Sequence, residues 1–330
     1  MDIHGFRVTV HGWPEVVEQA RLDFAWFCGP DAGSRGGAND VEVIAEDADP
    51  DYARFDPVAA SFVTPRNVVH QHGPLTVIDY FGKALSVFDR GAGRLVVQGR
   101  DEHLVHEAVY QFVLSQAGAA LEARGLVRLH SLGLVGRSGA VAVMLPSGGG
   151  KSTLALRALR DDRVRLLSED SPLLDRRGRL HPFPLRLGVN VGDADALPAG
   201  RTRRIERMEF HPKLVLELDA FADRIAAGPA ELRDLVIGRR TLGTGAALEK
   251  LPRRAAVGTL LREAVVGVGV YQGMEFVLQQ GLRDVLGQAG PAVTRAACCA
   301  AALRGSSVWR LTLGRDREAN WRALEPLLVG

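Results

Sequence analysis

Residues 145–153 read Leu-Pro-Ser-Gly-Gly-Gly-Lys-Ser-Thr, and these types in this order can build a cradle for an anion. Ser147, Gly148, Gly149 and Gly150 lead into Lys151, Ser152 and Thr153. Consecutive glycines let backbone N–H groups turn inward at φ values that other residues resist. A lysine at the end of such a loop can reach the terminal phosphates of a nucleotide, and the next hydroxyl can hold the Mg²⁺ that bridges them. The flanks agree: residues 140–145 are an apolar run of strand type, and residues 152–160 favour a helix. Strand, glycine turn and helix is the context a phosphate loop needs, because the helix start adds unpaired N–H donors and a positive dipole end. One position departs from the full pattern. Five residues before Gly150, where a glycine is usual, stands Leu145. The plain alternative is a glycine-rich turn with an incidental Lys-Ser.

Two neighbouring segments bear on the chemistry. His130 stands 21 residues before Lys151, with two apolar strands between them joined at Gly136-Arg137-Ser138-Gly139. If those strands pair, the histidine returns beside the loop; otherwise it is a strand histidine with a satisfied hydrogen bond. Downstream, residues 165–168 form a short apolar strand that ends in the adjacent carboxylates Glu169 and Asp170. A nucleotide-using enzyme needs carboxylates there, one for Mg²⁺ and one to accept a proton from the attacking group.

The segment from His130 to Asp170 resembles the catalytic core of the HPr kinase/phosphorylase family of bacterial serine kinases. Ser147-Gly148-Gly149-Gly150-Lys151-Ser152 matches that family's loop, and the spacing from His130 to Lys151 is kept. Arg165-Leu166-Leu167-Ser168-Glu169-Asp170 matches its following strand, with Glu169 in place of the first of two aspartates and one more residue in the intervening loop. Residues 182–187 and 211–216 resemble stand-alone relatives of this kinase, some of which phosphorylate a serine of a ribosomal-peptide precursor such as a lasso peptide. The resemblance implies a P-loop kinase core with a mixed β-sheet, similar to phosphoenolpyruvate carboxykinase. It implies ATP or GTP with Mg²⁺, and a peptide or protein hydroxyl as acceptor. Chemistry and resemblance together give Lys151 the transferring charge, Ser152 and Glu169 the metal, and Asp170 the proton. A glutamate moves its oxygen by about one C–C bond, so Asp170 is preferred as base over Glu169. His130 would tune that carboxylate or touch the transferring group. Arg186 and Lys213, next to apolar strands, are candidate phosphate or substrate contacts, with plain surface charge as the alternative. Residues 1–120 do not resemble the family's regulatory domain, and the segment associated with the phosphorylase reaction is not found.

The elements that must position these groups follow from periodicity. Strands are expected at 6–11, 41–45, 75–80, 84–89 and 94–98, the last three as a small meander, with an amphipathic helix at 14–27. A long helix over 102–124, ended by Gly125, closes an N-terminal α+β domain of residues 1–124. Residues 125–330 form the catalytic domain, with strands at 126–130, 131–135, 140–145, 165–168, 185–191, 213–218 and 232–237. Helices are expected at 152–160, 255–263, 273–287, 291–304 and 317–328. The whole is an α/β chain. The charge run at 201–207 reads as a solvated loop, with an acidic or phosphate partner as the alternative.

Bulk properties narrow the classes. A formal charge of +2 gives no electrostatic case for nucleic acid or an anionic membrane surface. Cys28, Cys298 and Cys299 have no disulfide or zinc spacing. No signal segment starts the chain and no apolar run is long enough to span a bilayer, so a cytoplasmic setting is expected. Self-association stays open. His70 with His72, and His103 with His106, lack the further ligands a metal site needs. Three classes compete: a phosphotransferase acting on a peptide or protein serine or on a small hydroxyl compound, another nucleotide-hydrolysing enzyme, and a non-catalytic nucleotide- or partner-binding module. The intact lysine, serine and acidic pair favour the first.

Overall fold

The computed structural model describes residues 1–29, 40–56, 58–146, 148–190, 202–207, 210–265 and 289–330. They form a mixed α/β structure with several sheets and few helices. Two compact units emerge. The division falls between Ala120 and Leu121, inside the helix Glu102–Ala123, and Arg203–Val215 cluster with the first unit.

The first unit is built on an eight-stranded sheet. Phe6–Gly12, Val41–Asp47 and Arg94–Gly99 run parallel to one another. Parallel neighbours need a crossover, and the helix Pro14–Asp23 lies in the first of these connections. The expected meander is present and longer, with Val68–His72, Leu75–Asp79, Ala84–Asp89 and Arg94–Gly99 paired antiparallel in turn. The amphipathic helix stops at Asp23, four residues short of the expectation, and a 3₁₀ turn, Ala25–Phe27, follows. Helix Glu102–Ala123 is buried on every side from 105 to 115, its polar His106, Glu107, Gln111 and Ser115 included. A helix buried all round must satisfy those polar groups inside the protein. His106 does so against Asp23, 2.8 Å away. The charge run does not form a solvated loop. Residues 202–207 are a strand, Thr202–Arg207, and Arg203 hydrogen-bonds Asp23 and Gln19.

The second unit centres on the strand Ala230–Arg240, which is parallel to both Gly139–Met144 and Ser307–Leu313. Beyond Gly139–Met144 the order continues antiparallel through Leu132–Gly136 to Arg165–Ser168. At its start, Ala230–Arg240 pairs with Arg179–His181, then Leu173–Asp175 and Leu126–Arg128. Leu235, Val236, Leu132, Leu134, Val141 and Val143 are fully buried. Each such side chain contributes about 1.5–3 kcal/mol by leaving water. Ala247–Leu251 edges this sheet, exposed and carrying Glu249 and Lys250, as an edge strand should. Helix Lys151–Ala158 packs beside Arg317–Leu324, where Arg157 bonds Glu318 at 2.9 Å and lies over the Trp321 ring.

The helix expected at 255–263 breaks into three turns of different pitch: 3₁₀ over Arg253–Ala256, α over Val257–Leu260 and π over Leu261–Val265. The helix expected at 317–328 is two, Arg317–Leu324 and Pro326–Val329. Proline lacks the N–H that would continue the first. The helix expected at 273–287 lies outside the described residues, as does Ser147. Among the described residues no helix is long and apolar enough to cross a membrane.

Candidate functional site

The glycine loop follows the strand Gly139–Met144 and opens the helix Lys151–Ala158. Gly148 and Gly150 have φ of 73° and 107°, a region that strains any residue with a Cβ. Gly149 is required for a second reason. A Cβ there would lie 2.8 Å from the Pro146 carbonyl oxygen, which already accepts the Gly149 N–H at 2.9 Å. The missing first glycine of the motif also has a physical account. Leu145 is buried, and its side chain fills the space over Gly238, where a Cβ would come within 2.3 Å of Leu145 Cδ2.

Lys151 occupies the first turn of the helix and folds back, its Nζ donating to the Leu145 carbonyl at 2.9 Å. Only 5% of this side chain is exposed. Its Nζ also lies 2.7 Å from His130 Nε2 and 3.2 Å from Asp170 Oδ1. The expected strand pairing brings the histidine there: Leu132–Gly136 and Gly139–Met144 are antiparallel, with Leu132 opposite Val143. Just before them, Leu129 N–H donates to Pro172 O and Ser131 N–H to Asp170 O, both at 3.0 Å. The backbone of residues 129–131 is thereby laced to residues 170–172. His130 must then sit against Asp170, and Nε2 to Oδ1 is 3.2 Å.

Arg165–Ser168 ends at the carboxylate pair. Ser168 Oγ accepts the Ser171 N–H at 3.0 Å and closes the turn that presents Glu169 and Asp170. The two carboxylates then diverge. Glu169 Oε1 accepts from Ser152 Oγ at 2.6 Å, whereas Asp170 faces His130 and Lys151 and keeps 49% of its side chain exposed. Hydroxyl and carboxylate oxygens are the hard donors Mg²⁺ prefers. Ser152 with Glu169 thus fits such an ion, which usually takes one or two protein ligands and leaves the rest to phosphate and water. Among the described residues no group of three or more His, Cys, Asp or Glu side chains is arranged to hold a metal ion by itself.

A residue absent from the sequence reading completes the cluster. Glu263, in the π turn Leu261–Val265, accepts from His130 Nδ1 at 2.7 Å, and its own carbonyl accepts the His130 N–H at 3.3 Å. Both side chains are 6% exposed. Glu263 stands 133 residues after His130, and no spacing rule connects them. Its one visible mark is an interrupted helix, since π turns gather at functional sites.

Charge sets the proton affinities. Burial works against a charged His130 ring, but hydrogen bonds to Asp170 and Glu263 outweigh it and hold the ring up to about 9, with Lys151 pulling the other way. Burial raises the Asp170 carboxyl, yet its hydrogen bond to His130 and the Lys151 charge bring it below the usual carboxylate range. Glu263 is likewise lowered by His130 and then Arg262, against burial. The ammonium at 2.7 Å can donate only into an unprotonated Nε2. A proton and Lys151 therefore compete for one lone pair.

Of the residues singled out by sequence, His130, Lys151, Ser152, Glu169 and Asp170 come together behind Gly148–Gly150, and Thr153 sits half-buried in the same helix turn. Arg186 and Lys213 are half-buried and have contacts of their own. His70 Nδ1 meets the Val58 carbonyl at 3.0 Å. Compared with known proteins, the chain matches no family model and no curated protein.

Proposed function

We propose that the second unit is an Mg²⁺- and nucleotide-dependent phosphotransferase that moves a phosphoryl group from ATP or GTP to a hydroxyl, in the manner of the HPr kinase/phosphorylase family it resembles. The reading rests on one observation above the others. Lys151, the loop lysine, shares a half-exposed carboxylate, Asp170, with the buried His130, while Ser152 and Glu169 form a separate oxygen pair beside them. A structural turn has no need for two such pairs with divided roles. A P-loop kinase core of mixed sheet is the fold this reading assigns to the second unit. A peptide or protein serine is the acceptor class that the family resemblance implies.

In this reading the backbone of Gly148–Lys151 and the Lys151 ammonium bind the phosphates of the nucleotide. Ser152 and Glu169 would hold Mg²⁺, which when bound neutralises charge between the β- and γ-phosphates. Asp170 orients the acceptor hydroxyl and takes its proton. Its low proton affinity keeps it ionised at neutral pH, and the His130 ring beside it, held protonated by its hydrogen bonds to Asp170 and Glu263, steadies that charge. General-base help of this kind is worth about 10²–10⁴ in rate.

The test is calorimetric titration of ATP and GTP, with and without Mg²⁺, into the wild-type chain and Lys151→Ala. Binding that depends on Mg²⁺ and weakens at least about a hundredfold in the variant is expected, from loss of a desolvated charge–phosphate contact. Absence of binding of either nucleotide to the wild type rejects the proposal and leaves the loop a structural turn.

A further inference from the structure

We infer that Glu263 is a positioning residue for proton transfer: it holds His130 with Nδ1–H toward itself, so that Nε2 is the atom turned to Asp170 and Lys151. The inference rests in its last step on the phosphotransferase reading.

Three observations carry it. The first is the double attachment of His130 to one residue, Nδ1 to Glu263 Oε2 at 2.7 Å and main-chain N–H to the Glu263 carbonyl at 3.3 Å. The ring can neither flip nor slide without breaking one of these. The second is charge. A carboxylate accepts only, so Nδ1 facing Glu263 carries the hydrogen whether the ring is neutral or charged. Nε2 is then the site that gains and loses a proton, and it is the nitrogen at 3.2 Å from Asp170 Oδ1. The third is enclosure. Glu263 is buried, with Arg262 Nε donating to its other oxygen at 2.8 Å, so its carboxylate is itself held in place.

As the acceptor oxygen bonds the γ-phosphorus, the bond from that phosphorus to the bridging oxygen breaks, and its electron pair leaves on the β-phosphate. The hydroxyl proton passes to Asp170, whose carboxylate His130 Nε2 holds in place by hydrogen bond. Glu263 gains no proton; it stabilises the imidazolium and keeps Nε2 aimed, as the buried carboxylate does in a Ser-His-Asp triad. Lys151 must leave Nε2 for this to happen, and the nucleotide phosphates offer it a better partner. Occupation of the loop thus lets Nε2 carry the hydrogen that bonds Asp170.

The experiment uses the full chain with ¹⁵N-labelled histidine, Glu263→Leu and Glu263→Gln. In wild type a ring proton attached to His130 Nδ1 should resonate well downfield of the amide region. It should persist, less shifted, in Glu263→Gln, whose amide oxygen still accepts, and disappear in Glu263→Leu. With nucleotide and acceptor, Glu263→Leu should lower kcat roughly ten- to a hundredfold with nucleotide affinity within about twofold of wild type, and Glu263→Gln should recover most of the rate. A resonance that survives in Glu263→Leu, or an unchanged kcat in that variant, overturns the assignment. Failure of the phosphotransferase reading looks different: wild type binds no Mg²⁺-nucleotide, and the resonance alone then decides the link between Glu263 and His130.

Discussion

Each unit of this chain buries a histidine against a carboxylate, and the two pairs differ in what surrounds them. In the first unit His106 meets Asp23 at 2.8 Å, with side chains 4% and 0% exposed. Arg203 bonds the same aspartate and Gln19, within the same unit. In the second unit His130 meets Glu263 at 2.7 Å, equally buried, but its other nitrogen faces Lys151 and the half-exposed Asp170. The first arrangement is closed and ties the helix Glu102–Ala123 to the end of Pro14–Asp23 and the strand Thr202–Arg207. The second is open on one side, toward solvent and a glycine loop. A buried histidine and carboxylate are therefore no sign of chemistry by themselves. What separates the cases is whether a proton has somewhere to go.

The largest effect that could break this distinction is loss of the exit. Asp170→Asn should retain Mg²⁺-nucleotide binding and lose transfer by about 10³, because an amide cannot take the hydroxyl proton. Single-turnover assays with serine-containing acceptors check it; near-normal transfer would move the base elsewhere. Next in size is the closed pair. His106→Leu should destabilise the protein by about 2 kcal/mol, since Asp23 loses a buried partner but keeps Arg203. Denaturant unfolding should show that loss while nucleotide binding stays as in wild type; a drop in binding without a drop in stability would make His106 more than a brace.

The smallest effect sharpens the rule with a third pair. Asp175 accepts from His181 at 2.9 Å and from Arg179 and the backbone of Arg177, and so belongs with the closed kind. Burial opposes its ionisation, but His181 and Arg179 outweigh that and bring the carboxyl down to about 2. A folded value below the unfolded one, about 3.9, means stability that is fully present above that pH and lost as pH falls through about 2. Thermal unfolding should therefore shift down between pH 4 and 2 in wild type. Asp175→Asn should flatten that decline and be the less stable protein at pH 7.

Much of the fold was legible because hydrophobic period reports it. Strands such as Ala84–Asp89, Arg94–Gly99 and Arg165–Ser168 stand within one residue of expectation, and Glu102–Ala123 runs to its glycine stop. Ser307–Leu313 and Leu173–Asp175 went unread. One alternates around Arg310 and Thr312 after an alanine-rich helix, and the other spans three residues, too short to show a period. Thr202–Arg207 was hidden by its arginines, whose charge argues for solvent until Asp23 supplies a partner from 180 residues away.

By itself the sequence determined the loop, its lysine and serine, the carboxylate pair and the return of His130 to Lys151. All of these depend on chain neighbours or on one hairpin, where spacing translates directly into position. Only the tertiary structure decided that Glu169 turns to Ser152 while Asp170 turns to His130, that Gly238 makes room for Leu145, and that Glu263 holds the histidine from behind. These are contacts between segments brought together by packing, and the buried volume and hydrogen-bond geometry that select them have no counterpart in the order of residues along the chain.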